Sequence, residues 1–118
     1  MKRTILILFV TLSSLSTVIA QTTKKDFVGH WASNGTSTQC VIFLDKYDKL
    51  QYVEWDKSDG QDLEVLSLRY EKNTLFVRTR FKENNWIVTS ELTLIDEFNM
   101  KAKIVGDANT TIQYKKLK

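Results

Sequence analysis

Eight short runs rich in Val, Ile, Leu, Phe, Tyr, Trp and Thr follow one another every 11 to 13 residues, at 27–33, 38–44, 49–56, 62–70, 74–81, 86–95, 98–105 and 110–117. Such spacing is the mark of consecutive β-strands in a sandwich or barrel. Between the runs stand Asn34-Gly35, 45–48, Asp59-Gly60, 71–73, 82–85, Asp96-Glu97 and 106–109, the polar and glycine-bearing chemistry of tight turns. All these connections are short, so each strand is expected to pair with the next. No window after residue 21 carries an amphipathic helical period.

Alternation assigns the faces. Phe98, Met100, Ala102 and Ile104 oppose Asn99, Lys101 and Lys103; Leu75, Val77 and Phe81 oppose Arg78 and Arg80; Trp86, Val88, Leu92 and Leu94 oppose Thr89, Glu91 and Thr93. One face is dry and the other wet. The second and fourth runs are apolar on both faces, which leaves Val41, Phe43, Leu66 and Leu68 to be covered by another element or exposed. A meander of this length disposes of its open edges by closing on itself. The expected fold is therefore all-β, a single eight-stranded antiparallel up-and-down barrel of the lipocalin-like kind.

Residues 1–20 stand apart from this pattern. Lys2 and Arg3 precede an apolar stretch from Ile5 through Val10 with Leu12 and Leu15, and small residues lead to Ala20. A basic start, a short apolar centre and a small-residue end are the parts of an export signal, too short and too Ser/Thr-broken for a bilayer span. The expected organisation is a signal peptide at 1–20, cleaved near Ala20, and one β-barrel domain at 21–118, exported to a periplasm or secreted. The 17 basic and 14 acidic residues include Lys2 and Arg3, so the exported part is nearly neutral. It lacks the basic footprint of a nucleic-acid binder. One cysteine, Cys40, allows no internal disulfide, and its position within an apolar run does not suit a lipid anchor after a signal. A monomer without a transmembrane segment is expected.

Residues of catalytic type are sparse. His30 is the sole histidine, and with a lone cysteine it rules out the usual zinc sets. Ser33 and Ser37 lie near it, but His30 reads as a surface or barrel-end residue and Cys40 as a buried thiol. Asp56, Asp59, Asp62 and Glu64 surround Gly60, yet Trp55 and Lys57 occupy the positions where an EF-hand loop needs carboxylates, so a polar hairpin turn is the better reading. Asn34-Gly35-Thr36 and Asn109-Thr110-Thr111 are glycosylation sequons in turns. Arg78, Arg80, Lys101, Lys103 and Lys115 fall on the expected outer face, where charges also guard strand edges. No catalytic residue, metal or cofactor is expected.

Phe27-Val28-Gly29-His30-Trp31 resembles the Gly-any-Trp opening of the calycins, which comprise lipocalins, intracellular fatty-acid-binding proteins and avidins. The closing run Thr110-Thr111-Ile112-Gln113-Tyr114-Lys115 is similar to the end of the fatty-acid-binding proteins. Two departures limit the likeness. Ile112 stands where those proteins place a carboxylate-binding arginine, and the first two runs leave no room for their helical lid. The resemblance implies a barrel that Gly29 and Trp31 help to close, without enzymatic activity.

Two binding functions are then expected. A small apolar ligand could sit at the mouth among Trp55, Trp86, Met100 and Tyr114, with Tyr52 nearby. Alternatively, the barrel could bind a protein, as an exported protease or lysozyme inhibitor does, through 21–26 and the turn at 56–62. An empty apolar lumen of about 300 Å³ or more would favour the first and a filled lumen the second.

Overall fold

The computed structural model describes residues 22–56 and 63–117. The proposed signal at 1–20, residue 21 and most of the turn at 56–62 lie outside the described residues. Eight strands form one antiparallel sheet: β1 Gly29–Ser33, β2 Thr38–Leu44, β3 Leu50–Asp56, β4 Leu63–Glu71, β5 Thr74–Phe81, β6 Ile87–Leu94, β7 Asn99–Gly106 and β8 Thr110–Lys116. Their order is β3-β2-β1-β8-β7-β6-β5-β4. The first and last strands pair, Trp31 with Lys116 and Ser33 with Tyr114, and this ladder rolls the meander into a nearly closed up-and-down barrel.

Two elements differ from the sequence expectation. The first run does not enter the sheet at Phe27. Lys24–Phe27 makes a 3-10 turn, because Asp26 Oδ2 accepts the Thr23 backbone N–H at 2.9 Å and the Thr23 hydroxyl at 3.3 Å, a local cap that outcompetes extension. The second difference is topological. β3 and β4 are neighbours in the chain but share no ladder, so the barrel has an unzipped seam there.

A bulge in β4 accompanies that seam. Val65 pairs with Thr79 and Ser67 with Arg78, leaving Leu66 as the extra residue. A bulge bends its strand and reverses the side-chain alternation beyond it. Leu63 and Val65 face inward before it, Leu68 and Tyr70 after it. Leu68 therefore packs on the core instead of the outer face, and a run apolar on both faces resolves into a single apolar face with a kink.

Inside the barrel, Phe27, Trp31, Ile42, Leu75, Leu92 and Met100 are fully buried. With Cys40, Tyr52, Val77, Ala102 and Tyr114 they form one cluster, against which Val65, Leu68, Tyr70, Leu94 and Ile112 pack. Each large side chain removed from water contributes about 1.5–3 kcal/mol. All eight strands supply it.

Candidate functional site

The N-terminal segment closes one end of the barrel, the end that carries the β2–β3 and β4–β5 turns. Trp31 Nε1 donates to the Phe27 carbonyl at 2.9 Å. The Phe27 ring meets Tyr70 edge-on at 5.8 Å, and Tyr70 donates its hydroxyl to the Thr22 carbonyl at 2.8 Å. Lys24 reaches the β2–β3 turn, where its ammonium lies 3.4 Å from Asp48 Oδ2. Residues 22–26, the described part of the segment 21–26 expected as a contact arm, thus serve with Phe27 as a plug tying β4 to that turn. Gly29 and Trp31 stand on β1, with Trp31 fully buried. Lys116 lays its stem where a Gly29 side chain would be, 3.0 Å from that Cβ position, and sets its ammonium 5.0 Å from the Trp31 ring centre.

The four residues expected to line a ligand site do not come together. Met100 and Tyr114 are cross-strand partners on β7 and β8, buried at 0% and 2% exposure. Trp55 lies on the outer face, because its inward neighbours on β3 are Tyr52 and Glu54, and its ring is 5.6 Å from that of His30. Trp86 precedes β6 and is 45% exposed, since the strand begins one residue later than the pattern suggested. Phe98 is displaced likewise, at 47% exposure before β7.

His30 Nε2 donates to Gln39 Oε1 at 2.9 Å on the same outer face. Ser33 hydrogen-bonds Thr36, and Ser37 hydrogen-bonds Asp56. Among the described residues no three His, Cys, Asp or Glu side chains gather as a metal site would require. The basic residues of the outer face are interleaved with acids: Arg80 pairs with Glu64 at 2.7 Å, and Lys103 stands opposite Glu91. No helix of the described residues is long and apolar enough to cross a membrane.

The interior holds a polar group that the sequence pattern does not single out. Glu54 pairs in register with Cys40 and accepts a hydrogen bond from the Tyr52 hydroxyl. Burial pushes the Glu54 carboxyl above the ordinary carboxylate range, against the opposing pull of that hydrogen bond. Burial, and then the nearby Glu54 carboxylate, push the Cys40 thiol and the Tyr114 phenol far up as well. The thiol stays protonated and so is a poor nucleophile.

An open cleft of about 420 Å³ lies at the seam, lined by Lys24, Lys49, Leu50, Gln51, Leu68, Tyr70 and Leu75. β3 supplies one wall, β4 the other and β5 the floor. The sequence signal for this cleft was the broken alternation of β4, where Leu63 and Val65 are apolar at odd positions and Leu66, Leu68 and Tyr70 at even ones. Only a bulge reconciles these residues with one core, and a bulged strand beside a turn is a candidate barrel edge.

The fold defines an eight-stranded, nearly closed antiparallel barrel with a side-chain-filled lumen. It is similar to the crystal structure of pallilysin from Treponema pallidum, with a TM-score of 0.54 over 92% of each chain and 18% sequence identity. That likeness concerns the fold. No protein-family model matches the chain. No curated protein matches it in sequence.

Proposed function

We propose that this chain is an exported, non-enzymatic binding barrel that recognises a protein partner through its surface. The observation that carries the reading is the lumen, filled by one continuous cluster of side chains that includes the two expected pocket residues Met100 and Tyr114. An eight-stranded barrel is just wide enough to be filled in this way. Export rests on residues 1–20, with Lys2 and Arg3 before the apolar stretch. The non-enzymatic reading is supported by the sole histidine, His30, held on the outer face by Gln39, and by the sole cysteine, Cys40, buried as a thiol. On the outer face, Phe43 and Val53 are 41% and 47% exposed beside Trp55, an apolar patch of the kind that partners cover.

The test is affinity capture on the exported protein from the extracytoplasmic fraction of its source, followed by reconstitution from two purified components. A one-to-one complex weakened tenfold or more by Val53→Glu supports the reading. Failure of every captured protein to bind once purified overturns it.

A second reading, a small apolar ligand, is favoured by the seam cleft, whose volume falls within the ~300–1,000 Å³ usual for ligand pockets. It predicts one-to-one binding of an apolar anionic dye, abolished by Leu68→Asp.

A further inference from the structure

The seam presents backbone as well as side chains. Asp45 N–H donates to the Lys49 carbonyl at 2.9 Å, which makes Asp45 and Lys49 a hydrogen-bonded pair at the root of the β2–β3 hairpin. Bonded and non-bonded pairs alternate along an antiparallel ladder. With the unbroken register Leu44–Leu50, Phe43–Gln51, Ile42–Tyr52, Val41–Val53 and Cys40–Glu54, the peptide groups of Gln51 and Val53 are spent on β2. Those of Leu50, Tyr52 and Glu54 point the other way, toward β4, with which β3 forms no ladder. Directional donors and acceptors on a free edge are the template for an added strand.

The surroundings of that edge specify what would be added. Leu50 and Leu68 line the cleft with apolar surface above the buried Leu75, and of its two charged residues Lys24 is paired with Asp48, which leaves Lys49 as the cation that an occupant would meet. Outside the same edge stand Val53 and, one strand away, Phe43 opposite Gln51. A strand laid along β3 would therefore place alternate side chains in the cleft and beside Val53. A lipid could fill the cleft but could not use the seam-facing peptide groups, and the packed lumen leaves no channel for a long chain.

We propose that the β3–β4 seam is a strand-addition site for an extended peptide of a protein partner. The peptide puts a large apolar side chain against Leu50 and Leu68 and an acidic neighbour toward Lys49. This rests on the protein-partner reading and names the place and chemistry of the contact.

The test pans random 12-residue peptides displayed on phage against the protein purified after export. Enriched sequences are expected to alternate, with Asp or Glu beside Leu, Ile or Phe. A synthetic peptide of the winning sequence is expected to slow amide hydrogen exchange at Leu50, Tyr52 and Glu54 at least tenfold. It should bind Lys49→Glu at least tenfold more weakly. Leu50→Pro, which removes a seam-facing N–H and leaves the β2 ladder intact, should lose binding; its fold is checked by circular dichroism, and the exchange data decide the matter if it does not fold. The proposal is overturned by no enrichment over bare support, by winners that leave those three amides unprotected, or by equal binding to Lys49→Glu. A purified protein partner that binds wild type and Lys49→Glu alike would retain the protein-partner reading and place its contact elsewhere.

Discussion

Trp31 shows how much one residue carries in a barrel of this size. Its ring is fully buried, its N–H is spent on Phe27, and Lys116 covers it from the last strand. Trp31→Ala is expected to cost about 3–5 kcal/mol, a large share of the roughly 5–15 kcal/mol of a small domain. Urea denaturation followed by circular dichroism reads the loss, and a change under 1 kcal/mol would remove Trp31 from its role as the barrel plug. Cys40 gives a second expectation at this scale. Its thiol should ignore a water-soluble disulfide reagent in the native protein and react at once in denaturant.

Carboxyl groups act with opposite signs. Asp45 is held below the ordinary carboxylate range by the Lys49 backbone N–H, then by Gln51 and Tyr47; Asp96 is held low by the Phe98 N–H, then by Asn99. Their contributions are present above the unfolded carboxyl pKa and are lost as pH falls through the lower folded values. Glu54, raised by burial, works the other way. Its contribution is present below the unfolded pKa and disappears as pH rises through the higher folded value. Glu54→Gln, which keeps a hydrogen-bond partner for Tyr52, should therefore flatten the neutral side of the stability curve and leave the acid side unchanged. Urea midpoints between pH 3 and 8 check it, and an unchanged neutral side would mean that Glu54 is solvated.

At the scale of elements, turns and strand pattern were legible in the sequence, and pairing at the seam was not. The boundaries of β2 and β5 match the expected runs because each begins after a clear turn signal and alternates without interruption. Leu66 is the place where that logic breaks. Period-two reading assumes that every residue takes part in the ladder, so one bulged residue inverts the assignment of Leu68 and Tyr70 and conceals both the seam and its cleft. Trp55 and Trp86 lie outside the expected ligand site for a related reason. Aromatic composition suggested a pocket, but direction is set by parity for Trp55 and by the strand start for Trp86. Deleting Leu66 restores simple alternation with Leu63, Val65, Leu68 and Tyr70 all still facing inward and carries the register straight from Val65–Thr79 to Ser67–Arg78. The variant should therefore remain folded with a cooperative urea transition, and a loss of that transition would mean that the bend made by the bulge is itself required. The β4–β5 hairpin offers the reverse case. Lys72 and Asn73 both have positive φ, 50° and 64°, a two-residue turn that suits asparagine or glycine better than lysine. Lys72→Asn should gain up to about 1 kcal/mol, read as a higher urea midpoint with an unchanged slope.

For the molecule as a whole, the central claim is that a filled barrel works from its outside. The interior is closed by Phe27 and Trp31 at one end and occupied by Met100, Tyr52 and Tyr114 above them, while the seam and the Phe43–Val53 face present unsatisfied surface outward. Native mass spectrometry of the protein, purified without detergent, tests this most directly. A bare polypeptide mass is predicted. An adduct of lipid-like mass that survives gentle ionisation and disappears on denaturation would contradict the account and favour the small-ligand reading of the seam cleft, since the lumen is filled by side chains.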